Sequence, residues 1–417
     1  MRQMKNSGIE WVGDIPDNWE VNKTKYNFQH KKEIAGTKCN DYDRLALTMN
    51  NVVKRSKDDN SGLQPKEFET YQIIRQNELV FKLIDLQNVS TSRVGLSPYV
   101  GLVSPAYIIL RAIGKVLPQY AEKYFYVLWK NQIFNSLGDD GVRSNLGKED
   151  LLNIPMPIPP VEGQERIAEF LDKKCSEIDG LIADIKTQVQ TLEQYKRSVI
   201  TEAVTKGLNP SAEMKDSGIQ WIGFMPTHWK TIRGKYLLKY LQKPVRKDDG
   251  VITCFRDGEV TLRSKRREEG FTMAEKEIGY QGVEIGDLVV HGMDGFAGAI
   301  GISDSRGKAS PVLNVLDTEQ NKKYIMYYLR SMAYSDVFMA MSTGIRVRSC
   351  DLRWNKLAEL FYPVPPKEEQ EDIVSFIDNK LKQTDDVIEQ KQSQIETLES
   401  YKKSLIYEYV TGKKEVV

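Results

Sequence analysis

Short runs of lysine and arginine are the residues whose type and spacing point most directly to chemistry. The run KRSK spans 54–57 and the run RSKRR spans 263–267. Two glycine-led basic segments also occur, GVRSN at 141–145 and GIRVRS at 344–349. Lysine and arginine neutralise DNA phosphates, and arginine also bonds the guanine edge in the major groove. These runs therefore favour binding to a nucleic acid.

A polar run, NVSTSR at 88–93, adds hydroxyl and amide groups suited to the same task. A charge run alone is usually a solvated surface, but similar runs at comparable places strengthen the hypothesis. The candidate DNA contacts are Lys54, Arg55, Lys57, Asn88, Ser92, Arg93, Arg143, Arg256, Arg263, Lys265, Arg266, Arg267, His291, Arg346 and Arg348.

Motifs of the common enzyme classes are absent from the sequence. GISDSRGKAS at 301–310 is one residue too long for a phosphate-binding loop, and Ala309 replaces the magnesium-binding Ser or Thr. No GxSxG, HExxH or zinc-deaminase motif occurs, nor the motif that holds a target amine in amino-methyltransferases. We therefore expect binding without catalysis. A self-contained nuclease or methyltransferase is an unfavoured alternative.

Metal binding and secretion are not expected either. The three histidines are isolated and the four cysteines are scattered, so no zinc-ligand pattern appears. No apolar run approaches the ~20 residues of a membrane span, and the N-terminus has no apolar signal core. We expect a cytoplasmic protein with free thiols and no membrane anchor.

An internal repeat determines which elements must position these residues. MKNSGIEWVGDIPDNW (4–19) and MKDSGIQWIGFMPTHW (214–229) are identical at nine of sixteen positions, and 158–205 matches 364–411 without a gap. The segments between them have diverged. This pattern predicts two similar frames that display two different reading surfaces, although drift in loops is an alternative.

Within the modules, 77–84 and 286–293 read as strands, whereas 120–137 and 324–341 read as helices whose aromatic residues belong to the core. Two longer helices, each about 60–65 Å long at 1.5 Å per residue, carry apolar residues at heptad spacing. We expect these seams to bury each other. The alternative is that each helix pairs with another protein. The seam residues are Leu171, Cys175, Ile178, Ile182, Ile185, Val189, Leu192, Ile377, Leu381, Ile388, Ile395 and Leu398.

Charge follows the same division. Residues 1–160 hold 21 Lys and Arg against 18 Asp and Glu, and 214–362 hold 23 against 18. Residues 161–213 hold 7 against 10, and 363–417 hold 8 against 12. Basic modules thus alternate with acidic helices, as suits a protein whose modules face a polyanion.

These features together resemble the specificity subunits of Type I restriction–modification systems. The resemblance is carried by the openings SGIEWVGDIPDNW and SGIQWIGFMPTHW, by the helix starts IPPVEGQERIAEFLD and VPPKEEQEDIVSFID, and by the helix ends LEQYKRSVITEAVTKG and LESYKKSLIYEYVTGK. It covers nearly the whole chain.

The resemblance implies an α+β fold in which two pseudo-repeated globular α/β recognition domains are separated by two long antiparallel coiled-coil helices. The corresponding divisions are 1–160 and 208–363 for the target recognition domains. The spacer helices are 161–207 and 364–417. Each domain would read one half of a split target on double-stranded DNA, and the divergence of the middles predicts an asymmetric target.

The resemblance also implies partners. The helices would set the gap between half-sites and dock two methyltransferase (modification) subunits, and restriction/translocase subunits would complete the complex. This chain would bind no cofactor, since S-adenosylmethionine and ATP would belong to the partner subunits. The runner-up function is a duplicated protein–protein scaffold without direct DNA readout.

Overall fold

The computed structural model describes residues 2–49, 51–59, 67–87, 92–138, 145–266, 277–340 and 352–416. The chain divides into two compact units. The first comprises Met1–Ile185 and Ser393–Val417, and the second comprises Lys186–Gln392. Each unit therefore contains one module of short strands and helices, together with parts of two long helices.

The module of the first unit contains twelve strands, three α-helices and two short 3-10 helices, Thr24–Tyr26 and Gly36–Asp41, within its described residues. The strands are β1 (Met4–Asn6), β2 (Asp14–Pro16), β3 (Glu20–Lys23), β4 (Phe28–His30), β5 (Arg44–Leu47), β6 (Val52–Arg55), β7 (Gln72–Ile74), β8 (Leu79–Phe81), β9 (Val94–Leu96), β10 (Gly101–Val103), β11 (Ile108–Ala112) and β12 (Pro155–Ile158). The helices are α1 (Pro118–Lys130), α2 (Ile133–Leu137) and α3 (Lys148–Asn153).

Two four-stranded sheets form the body of this module, in the orders β6-β5-β10-β7 and β4-β11-β8-β9. β5 and β10 are parallel, and the other neighbours are antiparallel. Tyr120, Tyr124 and Phe125 of α1 pack into one core with Phe81 and Phe28. The predicted strand at 77–84 and the predicted helix at 120–137 are confirmed, the latter as α1 followed by α2.

The long helix α4 (Val161–Lys206) follows, and then the module of the second unit. Its described strands are β13 (Met214–Asp216), β14 (Phe224–Pro226), β15 (Lys230–Arg233), β16 (Leu238–Tyr240), β17 (Ile252–Cys254), β18 (Val260–Leu262), β19 (Gln281–Val283), β20 (Leu288–His291), β21 (Ile300–Ile302), β22 (Gly307–Ala309), β23 (Leu313–Thr318) and β24 (Phe361–Val364). Its described helices are α5 (Gly234–Leu237), α6 (Arg263–Arg266), α7 (Lys322–Tyr334), α8 (Val337–Ala340) and α9 (Trp354–Glu359), and α10 (Lys367–Val410) ends the unit and continues into the first.

The described residues of this second module form a four-stranded sheet, β16-β23-β20-β21, and the pairs β17-β18 and β19-β22, which a parallel bridge between Val251 and Lys308 connects. It therefore repeats both sheets of the first unit: the order β18-β17-β22-β19 corresponds to β6-β5-β10-β7, and in each case the two inner strands are parallel. The predicted strand at 286–293 and helix at 324–341 are confirmed within the described residues.

The two long helices pack together, and in each unit their segments run in opposite directions. In the first unit Lys402 Nζ lies 2.7 Å from a carboxylate oxygen of Asp179. In the second, Lys196 Nζ lies 2.6 Å from Asp385. The predicted fold class, with two long antiparallel helices and two pseudo-repeated modules, is confirmed.

The seam predicted from heptad spacing is covered to different degrees along the helices. Leu171, Cys175, Ile178, Ile182, Ile377 and Ile395 are buried, and Ile185, Val189, Leu192, Leu381, Ile388 and Leu398 are half-buried. Thr384 is a polar residue at a seam position of α10, between Leu381 and Ile388, and its hydroxyl donates to the Lys380 carbonyl at 2.7 Å within the helix. The polar break is thus accommodated without an unpaired group.

Each module is attached to its helices by the same hydrogen bonds. In the first unit the buried Tyr120 hydroxyl lies 2.8 Å from the Pro157 carbonyl and 2.9 Å from that of Val410, at the end of α10. In the second, the Tyr324 hydroxyl lies 3.0 Å from Pro363 and 3.1 Å from Val204, near the end of α4. The frame that the sequence repeats is therefore the attachment of module to helix.

The repeated tryptophans belong to this frame as well. The Trp11 indole donates to the Tyr124 hydroxyl at 3.0 Å, and Trp221 donates to Tyr328 at 3.2 Å. Each tyrosine hydroxyl in turn donates to a carbonyl of the strand that precedes a long helix. The tyrosines at helical spacing thus serve the core, as the sequence predicted.

Candidate nucleic-acid interface

The basic run at 54–57 begins in the last two residues of β6, which is the outer strand of its sheet. Lys54 lies 2.7 Å from the Asp43 carboxylate, and both side chains are more than half exposed. The hydrogen bond from Lys54 holds the pKa of Asp43 below its ordinary value. Lys57 donates to the Cys39 carbonyl at 2.8 Å. The structure thus brings Lys54 and Lys57 to one edge of the module, each with an intramolecular partner.

Arg55 on the same strand is bound to Asp59 at 2.6 Å, four residues further along. That hydrogen bond raises the pKa of the guanidinium, so Arg55 stays charged. Ion pairs at the protein surface contribute little to stability, because water already solvates both ions. A phosphate can therefore displace the carboxylates at small cost.

Arg93 and Ser92 lie elsewhere. Arg93 is only 1% exposed, and its guanidinium donates to the backbone carbonyls of Ile84, at 2.9 Å, and Asp85. The Ser92 hydroxyl donates to the Val94 carbonyl at 2.8 Å and is also buried. Both side chains are thus satisfied by backbone carbonyls of Ile84, Asp85 and Val94, so the hypothesis that they contact DNA gains no support from their position. Asn88 lies outside the described residues.

In the second unit three arginines gather at the turn between β17 and β18. Arg266, on α6, donates to both Asp257 carboxylate oxygens and to Glu259 at 2.7 Å. Its guanidinium also lies over the Phe255 ring, 4.1 Å from the centroid. These bonds lower the pKa of Asp257. Arg256 pairs with Asp294 at 3.0 Å.

Arg330, on α7, is the third arginine, and the sequence interpretation missed it. Its guanidinium donates to the Asp257 carbonyl and packs against Gly258, where a Cβ would lie 2.6 Å from Arg330 Cζ. Gly258 also has φ +91°, which favours glycine. Arg330 lies within the run YIMYYLRSM, which we interpreted as core, and its charge amid apolar residues was the available signal.

A cleft of about 690 Å³ opens beside this turn, between the module of the second unit and the helix segments of the same unit. Arg256 and Arg330 line one side, and Lys196 and Arg197 of α4 line the other. Carboxylates lie among them, so the cleft is mixed in charge: Glu193, Asp257, Asp336 and Asp385.

The other predicted DNA contacts that the structure describes in this unit also have intramolecular partners. Lys265 donates to Ser305 at 2.7 Å and lies 3.5 Å from Asp304, while Arg263 lies 3.4 Å from the Thr253 hydroxyl. Burial lowers the pKa of His291. Its Nδ1 accepts from the backbone N–H of Asp294 at 3.0 Å, so the ring is held as a neutral acceptor.

Four predicted arginines lie outside the described residues: Arg143, Arg267, Arg346 and Arg348. Their DNA contacts stay predictions, as do those of the described candidates. Among the described residues, no group of three or more His, Cys, Asp or Glu is arranged to hold a metal ion. No helix in the described part of the chain is long and apolar enough to cross a membrane.

Comparisons with known proteins show what this chain is similar to. A family model described as "Type I restriction modification DNA specificity domain" matches residues 19–191. The putative type I restriction enzyme MjaX specificity subunit of Methanocaldococcus jannaschii is 22% identical over 96% of this chain and 95% of its own length. The MjaVIII specificity subunit of the same organism is 23% identical over 82% of this chain and 80% of its own length. This chain resembles Type I specificity subunits.

The resemblance predicted from the repeated motifs is therefore confirmed. One solved chain, from a structure that describes complex assembly and conformational transition of the type I R-M system, superposes with a TM-score of 0.66. The match covers 96% of this chain and 99% of that chain at 14% sequence identity, which shows a shared fold.

Proposed function

We propose that this chain is the DNA sequence-recognition subunit of a Type I restriction–modification system. The observation that carries the proposal is the duplication of one attachment frame beneath two different modules. The matched specificity domain and the two relatives support the same function. They give no support to the runner-up, a duplicated scaffold without DNA readout.

Each module reads one half of an asymmetric target. The tyrosine and tryptophan bonds of the frame recur in both units, whereas the sequences between the repeated motifs have diverged. Side chains that read base edges project from the parts that differ. Two different reading surfaces specify two different half-sites.

The long helices set the gap and dock the partners. α4 has 46 residues and α10 has 44, so each extends about 65–70 Å at 1.5 Å per residue. Both are more acidic than basic, which disfavours contact with the DNA backbone and leaves them for protein partners. Those partners are two methyltransferase subunits, and restriction/translocase subunits complete the assembly.

Catalysis belongs to those partners. The specificity subunit plays a non-catalytic role and binds no cofactor itself, while S-adenosylmethionine serves the methyltransferase subunits and ATP serves the restriction subunits. Because the target is intracellular DNA, the complex acts in the cytoplasm.

The test is to express this chain with its cognate methyltransferase in a host that lacks the system, and to sequence methylated bases. We expect one split, asymmetric sequence whose two halves are separated by a fixed gap. A control expresses the methyltransferase alone. Methylation that does not depend on this chain, or complex formation without any change in methylation, would favour the scaffold.

A further inference from the structure

The cleft beside the β17–β18 turn of the second unit contains two arginines that form no ion pair with a carboxylate of the described residues. Arg197, on α4, lies over the Tyr334 ring, with its guanidinium carbon 5.3 Å from the ring centroid. The guanidinium carbon of Arg330 lies 5.9 Å from the same centroid, and its Nε donates to the Tyr334 hydroxyl at 3.0 Å. Two guanidinium groups without a counter-ion of their own therefore meet at one aromatic ring.

Three of the four carboxylates that line the cleft already have a cation beside them. Lys196 lies 2.6 Å from Asp385 and 3.4 Å from Glu193. Arg266 donates to both carboxylate oxygens of Asp257. These carboxylates are therefore largely neutralised by other cations, and they leave the charge of the two arginines available to an anion from outside the chain.

Arg330 is held in place by the fold of the module. One of its terminal nitrogens donates to the Asp257 carbonyl, and Gly258 packs against the guanidinium. With the bond to the tyrosine hydroxyl, this uses two of the five N–H donors of the side chain. The remaining donors, together with those of the exposed Arg197, suit the oxygen atoms of a phosphate group. Because Arg330 is already positioned, little side-chain freedom is lost when a ligand binds.

The first unit has other residues at the corresponding positions. When α1 and α7 are aligned on the tyrosines of the repeated frame, Trp129 corresponds to Ala333 and Tyr126 corresponds to Arg330. Trp129 is buried and packs edge to face against Tyr126, with ring centroids 5.5 Å apart. Ala333 instead lines the cleft, where its methyl group leaves the space that an indole ring would fill. The arginine pair and its cleft are therefore a feature of the second unit.

We propose that Arg197 and Arg330 form a phosphate-binding site in this cleft, with the Tyr334 ring as its wall. The cleft volume of about 690 Å³ is large enough for a phosphate ester with its sugar and base. The phosphate belongs either to the backbone of the DNA or to a free nucleotide. For the first source the inference rests on the proposed function, and it adds a DNA contact from a long helix that is otherwise acidic.

The experiment compares Arg197→Gln and Arg330→Gln in the full chain, with Lys403→Gln as matched control at the α10 position that corresponds to Arg197. Filter binding at several salt concentrations measures duplex DNA, and isothermal titration calorimetry measures inorganic pyrophosphate and adenosine monophosphate without DNA. For a DNA phosphate, each arginine variant should reduce the slope of log affinity against log salt by about one. For a free nucleotide, each should weaken binding of the small ligands at least tenfold. The proposal is wrong if the arginine variants match the control in both assays.

Asp336, the fourth carboxylate of the cleft, provides a test of opposite sign. Its side chain is exposed and has no ion pair within the described residues. Because a carboxylate repels phosphate, Asp336→Asn should strengthen binding of the same ligand at least twofold. Asparagine also tolerates the φ of 54° at this position. A purely structural role of the two arginines would not produce this gain, and equal or weaker binding by the variant would contradict the proposal.

Failure of the site and failure of the proposed function can be told apart. Arginine variants that bind DNA, pyrophosphate and adenosine monophosphate as wild type does, while the wild-type chain directs methylation of a split target, would overturn the site and leave the function standing. A wild-type chain that neither binds DNA nor directs methylation would overturn the function, and the two small ligands would then decide the site alone. Circular dichroism checks that the helix content of each variant is unchanged.

Discussion

Replacing Gln370 or Gln164 by glutamate should loosen the attachment of a module to its long helix. Both glutamines are fully buried in the first turns of α10 and α4. The Gln370 amide nitrogen donates to the Pro365 carbonyl at 2.9 Å and to Gln320 at 2.8 Å. Its oxygen accepts from the Asn321 N–H at 3.0 Å. Gln164 makes the equivalent bonds to the Pro159 carbonyl and the Leu117 N–H.

Glutamate has the same size but, when ionised, no donor. Each substitution removes one or two buried hydrogen bonds, at ~1 kcal/mol each, and leaves a carboxylate facing oxygen atoms, at ~1–3 kcal/mol more. We therefore expect a loss of about 3–4 kcal/mol in the free energy of unfolding at neutral pH. That is a large part of the ~5–15 kcal/mol typical of a domain.

The loss should depend on pH in a defined direction. Burial beside carbonyl oxygens raises the pKa of the new glutamic acid in the folded state above its unfolded value of about 4.3. Protonation restores one donor. The variant should thus approach wild-type stability below about pH 4.3 and lose stability as pH rises through the folded-state pKa.

The assay is urea unfolding followed by circular dichroism at pH 5 and pH 7.5. Gln194→Glu and Gln383→Glu are matched controls, because they make the same change at exposed positions of the same helices. Controls should stay within ~0.5 kcal/mol of wild type. The reasoning is refuted if Gln370→Glu is as stable as Gln383→Glu at both pH values.

Three further predictions concern binding, pH and length. Arg266→Ala should reduce the slope of log affinity against log salt concentration by about one, if Arg266 exchanges its carboxylates for one phosphate; an unchanged slope in a filter-binding titration contradicts this. Burial lowers the pKa of His291, so acidification below about pH 6.5 should destabilise the wild type by up to about 1.4 kcal/mol per pH unit, and His291→Gln should lose less in thermal melts at pH 7.5 and 5.5. Gln188 and Lys391 bond each other across the two long helices. Insertion of one heptad after Gln188 and one before Lys391 should widen the gap between the two half-sites by up to about 3 base pairs, because each residue adds ~1.5 Å. An unaltered gap contradicts the spacer role.

The helices and the frame could be predicted from sequence because their signals are local or repeated. Heptad spacing marks the seam, Pro159-Pro160 and Gly207 bracket α4, and the duplicated tryptophans mark the attachment. Gly207 has φ +74°, as a helix C-terminus favours. The parallel pairing of β5 with β10 could not be predicted, since strands this short carry no periodicity.

The candidate interface was less predictable because ion pairs form between residues distant in sequence. Arg256 lies 38 residues from Asp294, and only the folded structure shows that the two neutralise each other. Arg93 is of a residue type that often contacts DNA, yet the fold buries its side chain among backbone carbonyls. A charged residue type does not tell whether phosphates, carboxylates or the backbone satisfy it.

Residues that the two halves share therefore have one task, and residues that they do not share have another. Shared residues attach a module to its helices, as Tyr120 and Tyr324 do. Unshared residues include Lys54 on β6 and Arg266 on α6. Because the shared residues lie in different places from the reading surfaces, substitutions in one set should leave the other intact. Specificity can then change while the attachment of modules, helices and partners stays the same.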